Sequence, residues 1–232
     1  MIRILLADDH DLMRRGIRDL VEGDPGIKVC GEAANGRDAL HLARQLKPDV
    51  AVLDLAMPEL NGLDAIRLLR REFPNMELLV FSMHDSEDLV REVFAAGARG
   101  YVLKSDAELY LIEALKSLAR HKPFFTPRIS EAILNSLAAP VSGGYAERST
   151  AGPLSSRERE ILQLLAENKS NKEIAERLGI SVRTVETHRR SVMQKLNASS
   201  IVELVHYAIR NGMVESRGPL GSQFPFHSQA NH

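Results

Sequence analysis

Three carboxylates, a lysine and a hydroxyl carry the chemistry most open to reading in this chain of 232 residues. Asp8 and Asp9 close one short apolar run, Asp54 closes another, Ser82 a third and Lys104 a fourth. Such runs are strands, and in an open α/β sheet the functional crevice lies beyond the carboxyl ends of the strands. The three aspartates therefore share one crevice with Lys104 and Ser82. Carboxylates so close repel, so they need a cation or raised pKa values. Hard oxygen ligands with an open position suit Mg²⁺, which keeps several waters and readily takes a phosphate oxygen beside its carboxylates. The chemistry this permits is phosphoryl transfer to Asp54, giving an aspartyl phosphate. Mg²⁺ and Lys104 would neutralise charge on the moving group. No glycine-rich phosphate loop followed by Lys-Ser/Thr occurs, so the phosphoryl donor comes from another molecule.

The elements that must position these groups follow from two periods. Short, mostly apolar runs over 2–7, 27–33, 50–54, 78–82 and 100–104 suit parallel strands covered on both faces. Amphipathic segments over 12–21, 36–46, 62–72, 87–96 and 107–119 lie between them. Five β–α units predict a doubly wound five-stranded parallel sheet, a flavodoxin-like α/β fold.

Residues 121–152 read as a connector with one short helix over 127–137. Its part from 140 to 152 is rich in Gly, Ser, Pro and Ala, as a flexible linker is. Residues 153–214 then predict four helices, over 156–167, 171–178, 182–196 and 201–211. Ser155 and Glu158 form a capping box at the first, and Gly179 stops the second. The tail from 215 to 232 has no periodicity and is expected to be disordered. The domain reading is thus 1–120, a linker over 121–152, 153–214 and a tail.

Residues 1–120 carry 16 Lys and Arg against 21 Asp and Glu, whereas 153–215 carry 10 against 8. The acidic front and mildly basic back suggest two tasks on one chain. Cys30 is the only cysteine, which excludes an intramolecular disulfide framework and is compatible with a reducing, cytoplasmic setting. No apolar run approaches a membrane span, and no signal peptide is evident.

In the back half, helix, tight turn and helix over 171–196 form a helix-turn-helix pattern. Spacings of three and four place Arg183, Glu186, Thr187 and Arg190 close to one face of the second helix. That face suits a DNA major groove: Arg pairs with guanine or holds phosphate, Glu accepts from cytosine, and the Thr187 methyl meets thymine. Thr184 and Lys195 are placed for phosphates.

Two resemblances sharpen this. The segments Leu-Leu-Ala-Asp-Asp-His, Leu-Asp-Leu-Ala-Met-Pro with Asn61-Gly62, Phe-Ser and Gly-Tyr-Val-Leu-Lys resemble the receiver domain of two-component response regulators. The segments Leu-Ser-Ser-Arg-Glu-Arg-Glu, Asn-Lys-Glu-Ile-Ala-Glu-Arg-Leu and Ser-Val-Arg-Thr-Val-Glu-Thr-His resemble the LuxR-type helix-turn-helix. Together the chain resembles a NarL/FixJ-type response regulator. The resemblance implies phosphorylation of Asp54 by a sensor histidine kinase, with Mg²⁺ on Asp9, Asp54 and the backbone carbonyl of Ala56, assisted by Asp8. It implies phosphate contacts from Lys104 and Ser82, and Tyr101 as an aromatic switch. It also implies promoter DNA and RNA polymerase as partners, a homodimer when phosphorylated, and recognition by the helix over 182–196. Many relatives have a basic residue where Glu186 stands, so their base preference does not transfer.

Two rivals have weaker support. A phosphatase using an aspartyl phosphate intermediate needs an acid–base residue two positions after the nucleophile, and Ala56 stands there. A phosphorylated scaffold would have a helical half that binds protein instead of DNA. The reading is therefore of a regulator, not an enzyme.

Overall fold

A computed structural model of the chain describes residues 1–138 and 154–214. The linker expected over 140–152 and the disordered tail expected over 215–232 lie outside the described residues.

Strands β1 (Ile2–Ala7), β2 (Ile27–Ala33), β3 (Val50–Leu53), β4 (Glu77–Ser82) and β5 (Gly100–Leu103) pair in parallel. Their order is β2-β1-β3-β4-β5. Helices α1 (Asp11–Glu22), α2 (Gly36–Leu46), α3 (Gly62–Glu72), α4 (Glu87–Ala95) and α5 (Ala107–Leu118) connect them. Alternate residues of each strand enter opposite cores, as a two-residue period requires. Leu5, Ala51, Leu53 and Val80 face one core; Ile4, Val52, Leu79 and Phe81 face the other. Both faces are covered, which is why these strands read as unbroken apolar runs and not as alternations.

The expected sheet of five strands gains a sixth. Phe124–Phe125 (β6) adds in parallel to β5, and Pro127–Ala138 (α6) packs against α4. This segment belongs structurally to the sheet, although its sequence reads as connector. The reason is local. Phe125 stands edge-on to Phe94 with ring centroids 4.6 Å apart, and Ile129 is fully buried. Together they cover what would otherwise be an open sheet edge.

The sheet order reverses direction between β1 and β3, and this is where Asp8 and Asp54 emerge. The two strands leave the sheet in step, Asp54 N–H donating to the Ala7 carbonyl at 2.8 Å. Gly62 is required here: a Cβ at that position would lie 2.0 Å from the Asp54 carbonyl oxygen. Glycine lets the start of α3 close against the loop that carries Asp54.

The remaining helices are α7 (Ser156–Ala166), α8 (Asn171–Leu178), α9 (Val182–Lys195) and α10 (Ile201–Arg210). They enclose a separate core that includes Ile161, Leu165, Ile174, Val185, Val192 and Leu204. Serine oxygens cap all four N-termini (Ser155, Ser170, Ser181, Ser200). The turn between α8 and α9 needs Gly179 for its φ of +62°, since a Cβ there would meet nothing within 4 Å. Among the described residues, no helix is long and apolar enough to cross a membrane.

Candidate phosphoacceptor site and nucleic-acid interface

Asp54 and Lys104 each stand one residue beyond a strand end, and Lys104 opens a 3-10 turn over Lys104–Asp106. The lysine side chain is only 4% exposed, and its Nζ lies 2.8 Å from both Asp8 Oδ2 and Asp54 Oδ2. Asp54 Oδ1 accepts the Leu55 N–H at 2.7 Å. Asp8, Asp9, His10 and Asp54 each offer one donor atom within 4.8 Å of all the others. The strand ends thus bring together the four charged groups expected there.

Burial pushes the Asp54 carboxyl above its ordinary range. The Lys104 charge opposes this and the Asp8 charge adds to it. Burial acts on Lys104 in the lowering direction, but Asp54 and Asp8 outweigh it, so the ammonium is held more firmly protonated than usual. One buried cation between two carboxylates leaves the pocket with surplus negative charge. Three clustered carboxylates of this kind fit a divalent cation with oxygen ligands.

Ser82 and Tyr101 are both fully buried and meet at one residue, His84. Tyr101 Oη donates to the His84 carbonyl at 2.6 Å, and His84 N–H donates to Ser82 Oγ at 3.3 Å. Burial raises the Tyr101 phenol far above its usual pKa, so it is a donor at any physiological pH. His10, read from sequence as a loop former, is the N-cap of α1; its Nδ1 lies 3.0 Å from Asp9 Oδ1.

The second set lies on α9. Arg183, Glu186, Thr187 and Arg190 are exposed, as the helical spacing predicts, and Thr184 is partly buried. Thr184 Oγ1 lies 2.8 Å from the capping Ser181 Oγ, and Thr187 Oγ1 donates to the Arg183 carbonyl. Lys195 departs from the set. Its ammonium turns inward to Glu158 Oε2 at 2.7 Å.

Glu158 was legible as half of a capping box, but its wider role was not. Besides the Ser155 cap it accepts from Ser191 Oγ at 2.6 Å and from Lys195, so it ties α7 to α9. Burial would raise its pKa, yet Lys195, Ser191 and Ser155 hold it down at about 2.

With this geometry in place, the comparisons are specific. Residues 4–116 match the response regulator receiver domain, and residues 152–208 match the luxR family of bacterial regulatory proteins. The oxygen regulatory protein NreC of Staphylococcus carnosus is 36% identical over 92% of this chain and 100% of its own length. The transcriptional regulatory protein LiaR of Bacillus subtilis is 35% identical over 92% of this chain and 100% of its own. This chain is a two-component response regulator. Its class joins a receiver to a luxR-type helix-turn-helix and acts as a DNA-binding transcription regulator. A solved relative is RcsB of Salmonella enterica serovar Typhimurium, bound to a promoter with the phosphomimetic BeF₃⁻. It is 28% identical with a TM-score of 0.62, over 89% of this chain and 97% of RcsB.

Proposed function

We propose that Asp54 of this response regulator takes a phosphoryl group from a sensor histidine kinase in the cytoplasm, and that this controls dimerisation and promoter binding. The observation that carries the reading is Lys104 Nζ held 2.8 Å from both Asp8 and Asp54 in a buried acidic cluster. An Asp54 carboxylate oxygen attacks phosphorus, the bond from phosphorus to the kinase imidazole breaks, and the imidazole leaves with its electron pair. Asp9, Asp54 and the Ala56 carbonyl, assisted by Asp8, would hold Mg²⁺, which would supply neutralising charge to the transferring oxygens. Lys104 pairs with one of those oxygens and Ser82 donates to another. The inward-held Tyr101 then follows the shift of the 82–84 loop. Receiver residues 1–120 and effector residues 153–214 are the two working units.

On DNA, Arg183, Glu186, Thr187 and Arg190 form the face offered to base edges, with Thr184 toward phosphate. Lys195 reaches a phosphate only by leaving Glu158. Ile201 and Val202 are apolar and exposed on α10, which suits a contact with a second copy. RNA polymerase is the partner such a bound dimer would meet.

The test is labelling of the full chain by acetyl phosphate with Mg²⁺. Label should sit on Asp54 and be lost in Asp54→Ala; undiminished labelling of that variant refutes the assignment. Phosphorylated chain should then select genomic fragments. Arg183→Ala or Arg190→Ala should each reduce the slope of log affinity against log salt by about one if that arginine holds a phosphate. Failure to bind any fragment at low salt would favour a protein-binding scaffold.

A further inference from the structure

The phosphoacceptor chemistry leaves Arg14 unused, yet its guanidinium reaches the backbone that carries the acidic pair. Strand β1 ends at Ala7. Asp8 N–H still bonds across to the Ala33 carbonyl at 3.1 Å. The two oxygens of the Asp8 side chain are held by Lys104 and by the His10 N–H. The peptide that joins Asp8 to Asp9 lies past the ladder, and its carbonyl accepts from Arg14 Nη1 at 2.5 Å. A peptide unit is planar, so holding the Asp8 carbonyl also sets the Asp9 nitrogen and the direction in which the chain enters Asp9.

Arg14 is itself fixed from more than one side, and its side chain is only 13% exposed. Nη2 pairs with Asp11 on the same helix, and Nε lies 3.4 Å from Glu32 Oε2 on β2. Glu32 also pairs with Arg18, one turn further along α1. Asp11, Arg14 and Arg18 therefore form one stripe of α1, with both arginines turned to β2. Charge balance decides what Arg14 contributes. Two carboxylates, Asp11 and Glu32, offset its charge, so the field it adds to the pocket is small. Its contribution is positional: a planar guanidinium spans several acceptors at fixed angles, which an ammonium on a flexible stem does not reproduce.

We propose that Arg14 is a positioning residue for the divalent cation: it fixes the Asp8–Asp9 peptide so that the Asp9 carboxylate meets the ion together with Asp54. The proposal rests on the reading of Asp9 and Asp54 as Mg²⁺ ligands. Arg14 acts through the Asp8 carbonyl, while Asp54 and Lys104 keep their own places at other strand ends. Its loss therefore weakens Mg²⁺ binding without slowing phosphoryl transfer once Mg²⁺ is saturating.

Calorimetric titration of the full chain with Mg²⁺, with no phosphoryl donor present, is the test. Arg14→Ala should raise the dissociation constant about tenfold, the usual cost of removing a group that orients a metal ligand. Arg14→Lys keeps the charge and loses the fork, so it should bind Mg²⁺ as weakly as Arg14→Ala. In acetyl phosphate labelling, the Mg²⁺ midpoint should move by the same factor while the plateau rate stays at the wild-type level. Wild-type Mg²⁺ affinity in Arg14→Ala, full recovery in Arg14→Lys, or a fallen plateau with an unmoved midpoint overturns the proposal. If Arg14→Ala does not fold, Glu32→Gln decides: it loosens the guanidinium from outside the pocket and should weaken Mg²⁺ binding about threefold, and no shift overturns the proposal. Asp9→Ala separates the two readings. If it binds Mg²⁺ as the wild type does, the metal assignment itself is broken; if it loses the ion while Arg14→Ala keeps it, only the role of Arg14 falls.

Discussion

The acidic pocket and the face of α9 are built on opposite plans. In the pocket, Asp54, Asp8 and Lys104 are buried and paired, each at or just past the end of a strand fixed by its neighbours in the sheet. On α9, Arg183, Glu186 and Arg190 project into water, and one helix places them all. A reacting site needs its groups held where charge will develop. A reading face needs only a helix presented at the right angle, because the partner orders its side chains on binding. The support therefore differs: in the pocket the charged groups hold one another, and for α9 it is Glu158, on a different helix.

The largest effect expected from this contrast is in the pocket. Lys104→Ala removes the buried cation next to Asp54, the proposed phosphoacceptor. Labelling of Asp54 by acetyl phosphate should slow about 10²–10³-fold, the usual cost of losing one preorganised charge partner. Single substitutions on α9 should leave that rate unchanged. If Lys104→Ala labels at the wild-type rate, Lys104 does not preorganise the pocket for phosphoryl transfer.

How far each region was legible from sequence follows from the same contrast. Strand ends are where apolar runs stop, so Asp8, Asp9, Asp54, Ser82 and Lys104 could be gathered by counting β–α units. Exposed helical positions follow from a spacing of three and four, which found Arg183, Glu186, Thr187 and Arg190. Contacts between separate cores leave no period. Gln163 follows Leu162 and precedes Leu164 in an otherwise apolar run, and only the fold shows what its amide meets. Lys195 reads as a free cation until Glu158 is placed beside it. The sixth strand was missed because two residues, Phe124 and Phe125, are too few to show any alternation.

The next effect sharpens the other side of the comparison. Glu158 has its pKa held at about 2 against an ordinary 4.5. A depressed carboxylate contributes stability that is complete above 4.5 and fades as pH falls toward 2. The shift corresponds to roughly 3 kcal/mol at neutral pH. Glu158→Gln should destabilise the helical half by up to about that amount and flatten its pH dependence between 5 and 2. Amide exchange in α7 and α9 would report it. DNA affinity should also fall, although Glu158 is largely buried and away from the reading face. An unchanged pH profile would mean that Glu158 does not hold α9 in place.

The smallest effect tests the pocket's own strain. Burial raises the Asp54 pKa, so ionised Asp54 weakens the folded state. The sign follows from proton binding: between 3.8 and the raised value the folded chain holds more protons than the unfolded one, so stability falls as pH rises through that window. Asp54→Asn removes this cost while Lys104 keeps Asp8. In EDTA at pH 7 the variant should be more stable than wild type, and the gain should vanish below pH 3.8. Millimolar Mg²⁺ should reverse the ranking, because a cation that binds only the folded pocket stabilises it by mass action. Thermal melts in the two buffers separate the cases. A variant less stable in EDTA would mean that the Asp54–Lys104 pair outweighs desolvation. A ranking indifferent to Mg²⁺ would mean that Asp54 is not a ligand.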